Sequence, residues 1–299
     1  MSPAGRCNWQ HPSRLRDDAH NLEALPTCHL YMLRESLPQT DLDAALAQYT
    51  REGYARLGIS LSQAGLVTLR AACDSILSGE LRYDGMFFQH DSPTGRYEDL
   101  SYAKGWIGPS VAYRKIERLE LDPTFRAWIE NPLFARLANQ VLGDDVTLYR
   151  ALLWNKEARA GTLLPWHQDD GKFWGINRRP QLQTWTALDD VSEDGGCLEV
   201  VPGTHLGGLA SAEGGTIQQT ALEAADAERR RIKLPARAGE VFVLHNHLWH
   251  RSGLNNAATP RRAISVSFLH GATRCLRTRR APRTFLRLFE NHPLMTSDA

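Results

Sequence analysis

Residues 164 to 175, LPWHQDDGKFWG, place one histidine and two carboxylates among tryptophans. In an extended segment, side chains two residues apart point to the same face, so His167 and Asp169 converge while Gln168 turns away. Charged groups beside so much apolar surface need a compensating cation, metal or basic side chain, because a buried unpaired charge is costly. Asp170 is expected on the opposite face, at the surface or in a hydrogen bond behind the site.

A second cluster, LHNHLWHRSG, contains His245, His247 and His250. On a strand, His245 and His247 share a face, and His250 lies at the strand end or just beyond it. Any of them could complete a triad of two histidines and one carboxylate, which leaves three positions open on iron(II). Three histidines on an exposed edge strand are the alternative, and spacing alone does not choose between these interpretations.

The overall composition excludes several classes of function. The chain has 299 residues, of which 42% are hydrophobic, and its 35 basic side chains nearly balance its 34 acidic ones. No net field attracts nucleic acid or an anionic membrane, and no stretch approaches the roughly 20 apolar residues of a membrane span. Five scattered cysteines without CxxC spacing fit neither a disulfide framework nor a thiolate zinc site. These features predict a cytoplasmic protein without nucleic-acid or membrane partners, and leave the oligomeric state open.

The N-terminal half is predicted to be mostly helical after a loosely ordered extension at residues 1–40. Helical periodicity runs from Asp41 to Gly53, and an S-x-x-Q capping box at Ser60 and Gln63 precedes a second apolar stripe. Residues 80–114 are predicted to form a long irregular loop, and the next helix is interrupted at Pro132.

The pattern changes to β after Gly143. Six short segments rich in β-branched and aromatic residues are separated by turn residues, and they are VTLYRALLW, QLQTWTALDDV, GCLEVVPG, IKLPA, EVFVLHNHLW and RRAISVSFLH. Strands without long intervening helices predict a sandwich, barrel or jelly roll. The chain has no GxGxxG, GxxxxGK[ST] or GxSxG motif, so the usual signatures of nucleotide binding and α/β-hydrolase chemistry are absent.

In order along the chain, WHQDD, QTWTALDDVSEDGGCLEVVPGTHLGG and AGEVFVLHNHLWHRSGLNNAATPRRAISVSFL resemble the phytanoyl-CoA dioxygenase family of Fe(II)- and 2-oxoglutarate-dependent oxygenases. The resemblance covers approximately residues 41–272. It implies a mainly β protein, a double-stranded β-helix (a cupin-like jelly roll) with N-terminal helices packed on the outside. We expect one domain at residues 41–299, made of a helical entry (41–142), a β-helix core (143–272) and a basic C-terminal segment (273–299).

The resemblance also assigns roles to individual residues. It makes His167, Asp169 and His250 the iron ligands and catalytic centre, and it leaves His245 a structural role. Arg261 matches the arginine that holds the distal carboxylate of 2-oxoglutarate, for which a guanidinium fork is suited. Adjacent Arg262 should face the other way. Three further residues are predicted to line the cosubstrate pocket: Ser252, Trp185 and Lys115.

The activity implied is hydroxylation of an unactivated C–H bond in a small-molecule metabolite, with O2 consumed and 2-oxoglutarate converted to succinate and CO2. Specialised metabolism is the expected setting. Desaturation, epimerisation or oxidative cyclisation at the same iron centre are alternatives, as are another jelly-roll metalloenzyme and a noncatalytic jelly-roll binding protein. Halogenation is disfavoured because the Asp169 carboxylate would take the position that chloride needs.

Two groups of residues are candidates for substrate contacts, namely the aromatic residues near His167 and the arginines of the C-terminal stretch. Trp166, Phe173 and Trp174 are candidate substrate residues, although aromatic residues in a β sandwich also serve as plain core. The C-terminal stretch could attract an anionic handle on a substrate, or it could form a basic solvated face or an oligomer contact. Its arginines are Arg274, Arg277, Arg279, Arg280, Arg283 and Arg287.

Overall fold

The computed structural model describes residue 33 and residues 41–101, 105–278 and 282–290. The predicted extension at residues 1–40 therefore lies outside the described residues, apart from Leu33. Six helices follow in chain order: α1 Leu42–Glu52, α2 Gln63–Ser78, α3 Pro123–Ile129, α4 Pro132–Leu142, α5 Gln219–Ala224 and α6 Ala227–Arg230.

Thirteen strands are formed by the described residues. They are β1 Tyr54–Ile59, β2 Phe87–His90, β3 Tyr113–Glu117, β4 Val146–Lys156, β5 Leu164–Gln168, β6 Leu182–Ala187, β7 Leu198–Val201, β8 Gly215–Thr216, β9 Ile232–Leu234, β10 Glu240–Leu244, β11 Trp249–Ser252, β12 Arg261–His270 and β13 Leu286–Leu288. The larger sheet has the order β1-β10-β6-β12-β4-β3-β2 with β13 beside β4, and the smaller has the order β8-β5-β11-β7-β9. All named pairings are antiparallel, as in a jelly roll.

Side-chain capping sets the starts of the N-terminal helices. The Asp41 side chain accepts a hydrogen bond from the Ala44 backbone N–H, and α1 ends at Gly53 in the left-handed conformation. Ser62, not Ser60, caps α2 by accepting from the Gly65 N–H, so the predicted capping box at Ser60 is wrong. Ser60 instead donates its hydroxyl to backbone carbonyls of β1, those of Leu57 and Gly58.

The helices cover the outer face of the larger sheet. Along β12, Ile264, Val266 and Phe268 point outward into one apolar cluster with α2, α3 and α4, and Arg261, on the alternate face, points inward. Arg262 also faces outward, where its guanidinium pairs with Asp189 and with Asp74 of α2. The helices therefore stabilise one side of the sheet and leave its inner face for the site.

The inner faces of the two sheets pack on each other through a second apolar cluster. Trp185, Phe242 and Leu244 of the larger sheet meet Leu198 and Val200 of the smaller one. The predicted fold class, a double-stranded β-helix with helices outside, is confirmed.

Two features differ from the sequence prediction. The predicted helical entry also supplies β1, β2 and β3 to the larger sheet, and β2 lies within the predicted irregular loop at residues 80–114. The segment EVFVLHNHLW forms two strands rather than one, because a turn at residues 245–248 separates β10 from β11. This turn leads the chain from the larger sheet to the smaller one. His250 consequently lies within β11, and His245 and His247 lie in the turn.

Truncation of a side chain in the core behind the larger sheet should lower the free energy of unfolding more than truncation of a surface side chain. Phe268 is fully buried against Phe134, so Phe268→Ala should lower the free energy of unfolding by about 3–5 kcal/mol. Val67→Ala is the control on α2, because Val67 is 50% exposed, and it should change stability by less than about 0.5 kcal/mol. Urea denaturation followed by circular dichroism measures both, and equal losses would contradict the assigned core.

Candidate metal centre

Three predicted ligands meet between the two sheets. One possible ligand atom from each of His167, Asp169 and His250 lies within 4.8 Å of the others. His250 of β11 is paired directly with His167 of β5, so both imidazoles project from neighbouring positions on one face, with ring centroids 4.0 Å apart. Nitrogen and carboxylate donors in this facial arrangement fit a divalent transition metal such as iron(II).

Each histidine ring is held by its own strand. The Nδ1–H of His167 donates to the Pro165 carbonyl at 2.8 Å, and that of His250 donates to the Leu248 carbonyl at 2.9 Å. A carbonyl only accepts, so Nδ1 carries the proton in both rings. In this tautomer the Nε2 atom of each ring is directed to the shared point. Burial and the neighbouring His250 lower the pKa of His167 to about 3, which keeps it neutral at physiological pH.

Asp169 is ionised although it is enclosed. Burial alone would raise the pKa of this carboxyl group, but the Arg150 guanidinium, whose Nη2 donates to Oδ1 at 2.9 Å, and His250 hold the pKa far below its usual range. Oδ2 lies 3.4 Å from Nε2 of His250. Arg150 was not identified from the sequence. Arg150 thus orients one carboxylate oxygen and leaves the other facing His250.

The surface position considered for Asp170 is wrong. Asp170 is 4% exposed and hydrogen-bonds Nε2 of His247 at 2.8 Å. The neighbouring backbone is fixed as well, because the Asp169 N–H donates to the Asn246 carbonyl at 2.8 Å. His247 and Asn246 therefore act behind the centre by joining the 245–248 turn to the ligand strand, and His245 lies beside His205 and Tyr49, away from the triad.

The triad opens into an enclosed cavity that also contains Arg261, Ser252 and Trp185. Arg261 is 3% exposed, its Nη2 donates to the Gly196 carbonyl, and its Nε has no hydrogen-bond partner. It forms no ion pair within the described part of the chain. The Arg261 guanidinium faces the Trp185 ring at 5.7 Å from the centroid. Burial lowers the pKa of Arg261 to about 10, so the side chain remains charged.

A lysine missed by sequence reasoning lies beside Arg261. Lys156 of β4 pairs directly with Arg261 of β12, and its Nζ donates to the Ser252 hydroxyl at 3.1 Å. Burial and the Arg261 charge lower the pKa of Lys156 well below its usual value. Two basic groups opposite each other in a buried space destabilise the fold unless an anion joins them. The cavity therefore fits a carboxylate beside Arg261 and Lys156.

A larger cavity adjoins the other side of the triad. His167, Asp169, Trp154 and Leu164 line both spaces. The larger has a volume of about 1310 Å³ against about 550 Å³ for the Arg261 cavity, and both volumes include space open to solvent. Lys115 lines the larger cavity, where its Nζ pairs with Glu117 at 2.7 Å. The lysine beside Arg261 is therefore Lys156 and not the predicted Lys115.

The three aromatic substrate candidates occupy different environments. Phe173 is 54% exposed and lines the larger cavity. Trp174 is buried behind that cavity and stacks on Tyr149, with ring centroids 4.1 Å apart. Trp166 points to the other face of the smaller sheet, where its Nε1–H donates to Glu228, so it lies outside both cavities. The reason is alternation along β5, which sends Trp166 away when His167 points inward.

A local irregularity in β4 adds two side chains to the larger cavity. The register with β12 shifts so that Ser267 pairs with Arg150 and Phe268 with Leu148, which leaves Tyr149 as the extra residue. A bulge of this kind lets consecutive side chains reach one side. Tyr149 and Arg150 both line the cavity as a result. The sequence VTLYRALLWNK shows the basic residues but gives no sign of the bulge.

Loss of any of the three ligands should abolish iron(II) binding. We expect His167→Ala, Asp169→Ala and His250→Ala each to weaken iron(II) affinity by more than about 100-fold, because even groups behind metal ligands contribute roughly 10–100-fold. His245→Ala is the control and should bind iron(II) as the unsubstituted protein does. Anaerobic calorimetric titration measures the affinity. Retained binding in His250→Ala with loss in His245→Ala would reassign the third ligand.

The chain is similar in sequence to proteins named phytanoyl-CoA dioxygenase. It is 24% identical over 229 residues to the peroxisomal phytanoyl-CoA dioxygenase of Bos taurus, and the match covers 74% of this chain and 66% of that protein. The chain thus spans just under two thirds of the length of this relative.

Solved structures show the same fold at low identity. EctD from S. alaskensis, crystallised with 2-oxoglutarate and 5-hydroxyectoine, matches with a TM-score of 0.63 and 21% identity over 91% of this chain and 92% of EctD. SnoK, a non-heme alpha ketoglutarate dependent carbocyclase from nogalamycin biosynthesis, matches with a TM-score of 0.64 and 20% identity over 85% of this chain and all of SnoK. These likenesses support the cupin-like architecture.

The family model for phytanoyl-CoA dioxygenase (PhyH) matches residues 49–263. That range contains the triad at His167, Asp169 and His250, together with Arg261 and Lys156. It also includes every strand that lines the Arg261 cavity, apart from the last residues of β12. The identification made from the motifs is confirmed, and the chain belongs to the phytanoyl-CoA dioxygenase family.

Proposed function

We propose that this protein is an Fe(II)- and 2-oxoglutarate-dependent oxygenase that hydroxylates an unactivated C–H bond of a small-molecule metabolite. One observation carries the proposal. The triad of His167, Asp169 and His250 opens into the cavity in which Arg261 and Lys156 are buried without a carboxylate partner among the described residues. A metal site and a carboxylate site thus share one space, as a keto-diacid cosubstrate requires.

The donor set fits iron(II), since two imidazoles and one carboxylate leave positions on one side for other ligands. Iron bound there supplies the oxidation, for which O2 and 2-oxoglutarate are consumed and succinate and CO2 released. His167 and His250 present fixed Nε2 lone pairs, and Arg150 keeps Asp169 charged and oriented. These residues therefore hold the metal without rearrangement of their side chains.

The far end of the same cavity would bind the distal carboxylate of 2-oxoglutarate. Arg261 is held by the Gly196 carbonyl and Lys156 by Ser252, so both donors are positioned before the cosubstrate arrives. Preorganised, desolvated cations bind a carboxylate strongly because little ordering is needed. Trp154, Trp185, Leu198 and Leu244 line the space between and limit access of water.

Other reactions at the same metal centre are the alternatives to hydroxylation. SnoK shares the fold and is named a carbocyclase, so oxidative cyclisation is a specific alternative to hydroxylation. Desaturation and epimerisation would use the same ligands. A noncatalytic binding protein is disfavoured, because it would not need a complete ligand triad beside buried cations. The mass of the product distinguishes these reactions, since only hydroxylation adds one oxygen atom.

The cellular location, metabolic role, domain organisation and partners of the protein are further parts of the proposal. No helix in the described ranges is long and apolar enough to span a bilayer. A cytoplasmic location, a role in specialised metabolism, a single domain over residues 41–299 and the lack of nucleic-acid and membrane partners remain predictions.

The direct test is a metabolite screen with iron(II), 2-oxoglutarate and O2. We expect succinate release that depends on one added compound and equals, mole for mole, a product heavier by one oxygen atom. His167→Ala serves as the control for release that does not require the metal site. Two results would count against the proposed hydroxylation. One is succinate release while every added compound stays unchanged, and the other is no succinate release although iron(II) and 2-oxoglutarate are bound.

Arg261 should determine the affinity for 2-oxoglutarate. Arg261→Gln should weaken 2-oxoglutarate binding by about 100-fold, because loss of one partner from a buried charge pair costs roughly 2–5 kcal/mol. Arg262→Gln is the matched control, since Arg262 faces α2 and pairs with Asp189 and Asp74. It should lower stability but leave 2-oxoglutarate affinity unchanged. Calorimetry with the metal-loaded protein separates the two, and equal affinities in both variants would refute the assignment.

A further inference from the structure

We propose that the described C-terminal residues 273–278 and 282–288 form one wall of the substrate cavity, and that the substrate carries a carboxylate or phosphate group bound by Arg277 and Arg283. The proposal rests on the proposed function, because it takes the larger cavity beside the triad as the substrate site. Both guanidinium side chains line that cavity together with His167 and Asp169. An anionic group bound there would hold the substrate within reach of the metal centre.

Backbone pairing fixes this segment at the cavity. Strand β13 pairs with β4 at Leu286 and Leu148, and an isolated bridge joins Cys275 to Ile176. The Leu276 N–H donates to the Gly175 carbonyl at 2.7 Å. The two arginines are therefore carried on chain that is attached on both sides of the cavity, as expected of a binding wall and not of a free tail.

Arg277 is positioned by packing and by a hydrogen bond. Its Nη2 donates to the Phe173 carbonyl at 2.9 Å. Gly175 has φ of +62°, and a Cβ there would approach Arg277 Cγ to 2.7 Å, so the aliphatic stem lies directly on the glycine backbone. The Arg277 side chain is exposed, and no carboxylate among the described residues pairs with it.

Arg283 reaches the same cavity from the other end of the segment. Its Nη2 donates to the Tyr149 carbonyl, and its guanidinium lies over the Tyr149 ring at 4.9 Å and the Phe285 ring at 5.4 Å from the centroids. It has no ion-pair partner in the described ranges either. Trp174 and Arg150 stack behind Tyr149, so the aromatic ring that supports Arg283 is itself fixed.

The charges that line the cavity do not balance. Its two carboxylates each have a cation: Glu117 pairs with Lys115, and Asp169 with Arg150. Arg277 and Arg283 add two positive charges without a carboxylate partner, and Arg114 also lines the space. Cations gathered in a cleft raise the local concentration of anions and pair bidentately with carboxylate or phosphate. The excess of positive charge favours an anionic substrate over a neutral one.

The other described arginines of the segment argue against a general basic face. Arg287 pairs with Asp145, and Arg274 lies outside the residues that line the cavity. Among the described C-terminal arginines, the two that line a cavity without a carboxylate partner, Arg277 and Arg283, thus share it with His167 and Asp169. If the segment were only a solvated basic surface, there would be no reason for Arg277 and Arg283 to line the cavity while Arg274 does not.

Three probes with the same six-carbon chain test the proposal: hexyl phosphate, hexanoate and hexan-1-ol. Calorimetry is done anaerobically on protein loaded with iron(II) and 2-oxoglutarate. We expect at least one anion to bind about tenfold more tightly than hexan-1-ol, as charge-assisted pairing predicts, and the stronger of the two identifies the phosphate or the carboxylate as the group recognised. In Arg277→Gln/Arg283→Gln the preference should fall to less than about threefold. Arg274→Gln, a matched exposed arginine of the same segment, should retain it.

Equal binding of hexan-1-ol and the anions, no measurable binding of either anion, or an unchanged preference in the double variant would overturn the proposal. Iron(II) and 2-oxoglutarate affinities are measured in the same samples and should be equal in the unsubstituted protein and the double variant. Loss of anion preference with intact cosubstrate binding therefore concerns the substrate site alone. Failure of iron(II) or 2-oxoglutarate to bind any of the proteins would instead contradict the proposed function.

Discussion

Charged side chains enclosed between two sheets require partners of opposite charge, and this constraint organises the molecule. Asp169 satisfies it with Arg150 on one oxygen and faces the His250 imidazole with the other. Arg261 and Lys156 do not satisfy it from within the described chain. The free energy cost of such unpaired burial is recovered only when a ligand supplies the missing charge. The centre is thus built for a metal and an anion together.

The site divides into two spaces because the triad lies at their common wall. On one side, Arg261 and Lys156 face a narrow, largely apolar chamber that matches a dicarboxylate cosubstrate. On the other, arginines from β4 and from the C-terminal segment surround a wider opening. His167 and Asp169 line both spaces, so a molecule in the wider one would lie beside a metal held by these residues. Under the proposed function, this arrangement would separate cosubstrate binding from substrate recognition, and substrate recognition would depend on residues beyond β12.

Departures from regular strand pairing decide several positions in the site. The extra residue Tyr149 in β4 lets Arg150 reach Asp169 and supports Arg283. The turn at residues 245–248 moves the chain from one sheet to the other and places His250 opposite His167. A regular strand through LHNHLWH would have directed His245 and His247 together instead. Bulges and turns are common beside active sites for this reason.

The sequence by itself predicted the fold class, because alternating strand patterns depend on the local chain. The resemblance of its contiguous motifs to one family pointed to His167, Asp169 and His250 as metal ligands and to Arg261 as the cosubstrate arginine. The sequence did not determine Lys156, Arg150 or the inward position of Asp170, and it misplaced Trp166. Those positions depend on which residue of one strand lies opposite which residue of another, and a shift of one residue reverses the face of a side chain. Only the tertiary structure fixes that register, and with it the partners of every buried charge.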